Sequence, residues 1–71
     1  MREVIKIKNR IEELRKAQGI TQKELADKLS VSRQTIVSLE NGRYNPSIIL
    51  AYKVAVMFGK TIEDVFLFEE E

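Results

Sequence analysis

Four residues close together in the chain have side chains that suit the edges of DNA base pairs. They are Arg33, Gln34, Val37 and Ser38. An arginine can form two hydrogen bonds to guanine and a glutamine two to adenine, while a serine can bond to several bases and an apolar side chain packs against the thymine methyl group. A helix that presented all four on one side would have the chemistry to read a DNA sequence.

The spacing of the apolar residues predicts that helix. Ile36 and Leu39 define its buried direction, and at about 100° per residue the four candidate side chains lie on the opposite side. The alternative is that this side is the polar outer face of any soluble helix. The segment upstream favours the DNA-reading interpretation.

A second short helix is predicted directly before it. Thr21 and Glu24 have the spacing of a capping box, and Leu25, Ala26 and Leu29 form an inward stripe. Residues 30–32 then break the periodicity as a tight turn. In that turn Val31 is expected to fill the corner between the helices and Ser32 to cap the second one.

Composition excludes several classes of function. The 71 residues suffice for one domain, residues 1–71, and contain no Cys and no His. Disulfides, thiolate or imidazole metal sites and His- or Cys-based catalysis are therefore excluded. The remaining polar residues form no recognisable catalytic constellation, so we expect neither enzyme activity nor a cofactor. No run approaches the roughly 18 apolar residues of a membrane span, and we expect a cytoplasmic protein.

The distribution of charged residues along the chain favours a polyanionic partner more than the net charge of the whole chain does. The formal net charge is only +1. Three of the eleven acidic residues are Glu69 to Glu71, so residues 1–68 carry twelve basic and eight acidic residues, a net charge of +4. Basic residues supply the phosphate contacts on which DNA affinity largely depends.

The flanking segments complete an all-α pattern of five helices, with a helical core over residues 9–66. Asn9 with Glu12 is expected to cap the first helix, whose inward residues are Ile11, Leu14 and Ala17. Asn45 is expected to cap the fourth helix, with Pro46 at its first position and an end near Phe58. The fifth helix is predicted to begin at a capping box formed by Thr61 and Asp64.

The two ends of the chain are predicted to pair as a small antiparallel sheet. Apolar residues occupy alternate positions in both end segments. They are Ile5 and Ile7 in residues 1–8, and Phe66 and Phe68 in residues 66–71, a segment that ends in the acidic tail. The alternative is that residues 1–8 form a loose arm.

The fourth predicted helix is apolar nearly all round, so something is expected to cover it. The terminal strands or a second copy of the chain could do so. Its three apolar stripes are Ile48, Ala51, Ala55 and Phe58; Leu50, Val54 and Met57; and Ile49, Tyr52 and Val56.

These motifs together resemble the Cro/repressor-type (XRE-like) helix-turn-helix family of transcriptional regulators over roughly residues 9–66. The resemblance is carried by Leu14-Arg15, by residues 19–26 (GITQKELA), 31–36 (VSRQTI) and 39–43 (LENGR), and by Asn45-Pro46. The chain departs from the family pattern at Ser30, where glycine is frequent and a serine adopts a left-handed backbone only at some cost.

The resemblance implies a repressor-type five-helix domain whose helix from Ser32 enters the major groove. It implies an ion pair between Glu40 and Arg15, with little effect on specificity. We expect base contacts from Arg33, Gln34, Val37 and Ser38. Phosphate contacts are expected from Thr21, Gln22, Thr35, Asn41, Arg43 and Asn45.

The expected partner is double-stranded DNA with a pseudo-palindromic operator, bound by a homodimer and leading to repression. One module of this size touches few base pairs, and two-fold symmetry doubles the contacts. The family implies a dimer contact through the last helix, where we expect Ile62, Val65 and Tyr52 to meet the partner. An inducing signal would have to come from outside so small a chain, for example from a regulatory protein. The competing hypothesis is a protein-interaction adaptor or antitoxin-like module on the same fold.

Overall fold

The ends of the chain meet, and five helices lie between them. The computed structural model describes residues 5–70, and the side chains of residues 8–67 within them. This part of the chain contains two strands, β1 and β2, and five helices, α1 to α5. In chain order they are β1 (Ile5–Asn9), α1 (Ile11–Ala17), α2 (Gln22–Leu29), α3 (Arg33–Glu40), α4 (Ile48–Met57), α5 (Ile62–Val65) and β2 (Phe66–Glu70).

The predicted terminal sheet is confirmed. β1 and β2 pair antiparallel, with Ile7 opposite Phe68 and Asn9 opposite Phe66. Residues 1–4 of the predicted first strand and Glu71 of the acidic tail lie outside the described residues. The sheet joins the ends of the chain, which would otherwise fray.

The helix-turn-helix is built by the predicted caps. The Thr21 hydroxyl accepts a hydrogen bond from the Glu24 backbone N–H at 3.0 Å, and the Thr21 N–H donates to the Glu24 carboxylate at 2.8 Å. That backbone donor lowers the pKa of Glu24 below its ordinary value. At α3, the Ser32 hydroxyl accepts from the Thr35 N–H at 3.1 Å. Each cap fixes the residue at which its helix begins.

The turn between α2 and α3 requires a left-handed residue. Ser30 has φ of 58°, the one positive φ among the non-glycine residues that the structure describes. The Val31 N–H then donates to the Ala26 carbonyl oxygen at 3.0 Å, which closes the end of α2. A backbone of this kind strains a residue that carries a Cβ atom.

The core lies between the helices and the start of β2. Leu25, Ile36 and Leu39 are fully buried, as predicted for the inward stripes of α2 and α3. Ala17, predicted to face inward on α1, is instead exposed. The other buried apolar residues are Ile11, Ala26, Leu29, Leu50, Ala51, Val54, Ala55, Phe58, Val65 and Phe66.

Two predicted helix starts are wrong. Asn9 ends β1 and forms no capping box with Glu12, but its Oδ1 accepts from the Ile11 N–H at 3.1 Å, and the residue at the cap position of α1 is Arg10. The Asn9 Nδ2 donates to the Leu39 carbonyl oxygen of α3 at 2.7 Å. At α4 the cap is Ser47, whose hydroxyl accepts from the Leu50 N–H at 3.1 Å, two residues after the predicted Asn45. Asn and Ser are caps of nearly equal strength, so local chemistry did not distinguish the two starts.

One side of α4 remains uncovered. Ile48, which begins the first predicted apolar stripe, is 73% exposed, and the terminal strands do not cover Ile49 or Val56, which are 65% and 56% exposed. α4 instead buries Leu50, Ala51, Val54 and Ala55, because only this stripe faces the other helices.

We expect replacement of Ser30 by glycine to stabilise the fold. Glycine adopts a positive φ without a Cβ clash, and this gain exceeds its larger loss of backbone entropy, leaving a net stabilisation of about 0.5–1 kcal/mol. Urea unfolding of Ser30→Gly measures the difference. Ser30→Ala, which keeps the Cβ atom, is the control and should give no gain; a less stable glycine variant would contradict the strain assigned to this turn.

Candidate nucleic-acid interface

The predicted base-contacting residues share the outward side of α3. Arg33 and Gln34 are exposed on its first turn, while Val37 and Ser38 are half-buried one turn later. In a helix of 3.6 residues per turn these four positions span an arc of about 140°. α3 therefore presents two long polar side chains at its beginning and a shorter, flatter surface behind them.

Arg33 is held by a residue of the neighbouring helix. Its Nη2 donates to the Gln22 Oε1 at 3.1 Å, and Gln22 Nε2 in turn donates to the Glu40 Oε1 at 3.0 Å. The opposite orientation of the Gln22 amide would point its oxygen at the Glu40 carboxylate, so Glu40 fixes which end faces Arg33. A guanidinium has five donors, which leaves Arg33 able to bind a base or a phosphate.

The predicted ion pair between Arg15 and Glu40 is confirmed. Arg15 Nε donates to the Glu40 Oε2 at 2.7 Å, and only 10% and 3% of the two side chains are exposed. The Arg15 Nη1 also donates to the Ile20 carbonyl oxygen at 3.0 Å. The hydrogen bonds to Glu40 raise the pKa of Arg15 above its usual range.

This pair removes an unfavourable charge from the candidate interface. Between residues 28 and 62, Glu40 is the sole acidic residue in the sequence, while that segment contains five basic ones. Because Arg15 neutralises Glu40, the surface formed by α3 and the following loop carries no uncompensated negative charge. A polyanion can approach such a surface without repulsion.

The predicted phosphate contacts fall into two groups. Thr21, Gln22 and Thr35 lie on or beside the first turns of α2 and α3, and the hydroxyls of both threonines serve in the caps. Helix N-termini of this kind favour anions. Asn41, Arg43 and Asn45 are exposed in the loop after α3, and Arg43 has no side-chain partner among the described residues.

Sequence reasoning missed two of the contacts that position α3. The bridge of Gln22 between Arg33 and Glu40 has no local sequence signal, because the three residues are brought together only by the crossing of α2 and α3. The bond from Asn9 to the Leu39 carbonyl joins residues 30 positions apart and ties β1 to the end of α3. The two contacts tie α3 to α2 and to β1.

The predicted dimer residues are not equally accessible. Ile62 is half-buried on α5 and Tyr52 is 62% exposed on α4, but Val65 is fully buried. α5 is only four residues long, and its last residue packs into the core while its carbonyl oxygen accepts from the Arg10 N–H at 2.9 Å. Val65 therefore cannot reach a partner.

The described part of the chain contains only short helices, of four to ten residues. None of its helices is long and apolar enough to cross a membrane. No group of three or more acidic, His or Cys side chains in this part comes together in a way that could hold a metal ion.

Known proteins resemble this chain over most of its length. A family model described as helix-turn-helix matches residues 11–65. An HTH-type transcriptional regulator of Archaeoglobus fulgidus is 54% identical over 65 residues, which are 92% of this chain and 93% of that protein. A second HTH-type transcriptional regulator, from Methanocaldococcus jannaschii, is 48% identical over 65 residues, which are 92% of this chain and 98% of that protein. The immunity repressor protein of Bacillus phage phi105 is 40% identical over 50 residues, 70% of this chain and 35% of that protein.

A solved structure has the same arrangement of helices. The clp gene regulator ClgR from Corynebacterium glutamicum matches with a TM-score of 0.69 and 31% identity. The match covers 76% of this chain, which spans 57% of the length of the ClgR chain. The family model matches the chain from α1 to α5, and the structure has the helix caps, the turn and the exposed α3. The chain therefore belongs to the helix-turn-helix family of transcriptional regulators.

Proposed function

We propose that this regulator is a repressor that binds a specific double-stranded DNA sequence by placing α3 in the major groove. The observation that carries the proposal is the exposure of Arg33 and Gln34 together on the first turn of α3, beside a neutralised Glu40. A helix fits the major groove, and these two side chains form bidentate bonds to guanine and adenine. Chromosomal DNA as the target would place the protein in the cytoplasm.

The proposed role of each residue follows from its position in the structure. Arg33, Gln34, Val37 and Ser38 read base edges, because they share the outward side of α3. The loop after α3 holds the backbone, with Arg43 as its cation. The remaining proposed phosphate contacts are those of Thr21, Gln22, Thr35, Asn41 and Asn45.

Repression by a homodimer is the simplest mode of action. A bound dimer blocks a promoter sterically and needs no activating surface, and the similarity to a phage immunity repressor supports this choice. Two copies on a pseudo-palindrome place their α3 helices about 34 Å apart. We propose that Ile62 carries the dimer contact, with help from Tyr52 and without the buried Val65.

Binding to random duplex DNA should depend strongly on salt, and Arg43 should account for part of the dependence. The logarithm of the affinity falls with the logarithm of salt concentration with a slope of about −0.9 per phosphate contact. Arg43→Ala should weaken specific and random duplexes alike and reduce the slope by about one contact. Fluorescence anisotropy over a salt series measures both. A chain that shows no salt dependence would be an adaptor and not a DNA reader.

Sequence preference should depend on Gln34 and Arg33. Either alanine variant should lose about 1–3 kcal/mol of binding free energy on the selected site and relax the preference at one or two base pairs. Selection from randomised duplex, repeated with each variant, reveals the change. An unaltered consensus for Gln34→Ala would exclude Gln34 as a base reader.

Gln22 provides a matched comparison within the same experiment. If Gln22 positions Arg33, then Gln22→Ala relaxes the preference at the base pair that depends on Arg33, and the combined variant Gln22→Ala/Arg33→Ala is no worse than Arg33→Ala. If Gln22 only contacts a phosphate, the binding free energy lost in Gln22→Ala adds to that lost in Arg33→Ala, and the slope of the affinity against salt concentration becomes smaller.

The dimer contact predicts that Ile62→Asp produces monomers. A carboxylate buried at the seam opposes association, so operator binding should weaken by at least about tenfold. Sedimentation and circular dichroism establish the mass and the fold, and the milder Ile62→Ala variant controls for damage to the core. A monomeric wild type that protects a single half-site would contradict the dimer.

A further inference from the structure

α2 and α4 flank an open groove whose lining includes none of the residues proposed to contact DNA. Two adjoining cavities share Leu29, Ser30 and Lys53 in their lining, and we call them together the α2–α4 groove. Lys28, Tyr52, Val56 and Met57 line one end, and Val31, Tyr44, Ser47, Ile49 and Leu50 line the other. Neither Arg33 nor Gln34 belongs to its lining.

Exposed apolar side chains of α4 form part of the groove's lining. Ile49, Tyr52 and Val56 follow one another along α4 and are 65%, 62% and 56% exposed. Contiguous apolar surface of this kind marks a binding site on a small protein. DNA is a poor occupant, because its grooves and backbone offer polar and charged groups to a protein surface.

The charge of the groove distinguishes among protein partners. Lys28 and Lys53 line it, and neither forms a salt bridge within the described residues. No acidic residue lies in the lining. A second copy docked face to face through the groove would bring these lysines together, which is unfavourable. Of the two residues proposed for the dimer contact, Ile62 lies outside the groove and Tyr52 lies at one end of it.

We propose that the α2–α4 groove binds an acidic amphipathic helix of another protein. Apolar residues at positions i, i+3, i+4 and i+7 of that helix would pack against Ile49, Val56 and the half-buried Met57. Carboxylates beside them would pair with Lys28 and Lys53. Because the groove is separate from the outward side of α3, a regulatory protein could bind there while α3 contacts DNA.

The proposal is tested with two synthetic peptides on the full chain. Each is a helical peptide of about 20 residues with leucines at the stated spacing; one carries glutamates beside them and the other lysines. Titration into isotope-labelled protein by NMR should shift the amide signals of Ser30, Lys53 and Val56. The glutamate peptide should bind at least about tenfold more tightly than the lysine peptide.

Charge reversal separates this site from general electrostatics. Lys28→Glu/Lys53→Glu should reverse the preference, so that the lysine peptide binds more tightly. Lys16→Glu/Lys60→Glu changes the net charge equally outside the groove and should keep the original preference. Both variants should bind random duplex DNA with affinities within about twofold of each other, so the groove can fail without the DNA function failing.

Three results would overturn the proposal. The peptides could bind equally well, their shifts could map outside the groove, or charge reversal could leave the preference unchanged. Sedimentation provides a further check, because a change of oligomeric state caused by Lys28→Glu/Lys53→Glu alone would assign the groove to a second copy of the chain.

Discussion

The buried ion pair between Arg15 and Glu40 is the contact on which the orientation of α3 depends. It joins α1 to the last turn of α3 at 2.7 Å, with both side chains almost fully buried. Removal of one partner from such a pair typically costs about 3–5 kcal/mol, because the other charge is left buried without compensation. α3 therefore cannot rotate or slide without breaking an interaction that the fold cannot easily replace.

The same pair is connected through Gln22 to the side of α3 that is proposed to bind DNA. Glu40 orients the Gln22 amide, and Gln22 in turn holds the Arg33 guanidinium. A residue whose charge would repel DNA thus becomes, once neutralised, an anchor for a residue that is proposed to read DNA. Pre-organisation of this kind reduces the entropy lost when a long side chain binds.

The two sides of the molecule have different chemistry. The outward side of α3 is polar, and the loop that follows supplies Arg43, whereas the α2–α4 groove is apolar with Lys28 and Lys53. α4 makes this division possible, because it contains more apolar residues than one buried stripe can use and leaves Ile49 and Val56 at the surface. Under the two proposals, one of these surfaces binds DNA and the other binds a protein.

The sequence by itself determined the helix-turn-helix, the pairing of the chain ends and the inward residues of α2 and α3, because caps and apolar periodicity act over a few residues. It also indicated the Arg15–Glu40 pair, through a family resemblance. The tertiary structure alone decided that Asn9 bonds to Leu39, that Gln22 bridges Glu40 and Arg33, and that Val65 is buried while Ile48 is exposed. Those outcomes depend on contacts between residues distant in sequence. A local sequence pattern does not indicate which polar residue a side chain will bond to, or which face of a helix will be buried, when the other residues involved are far away in the chain.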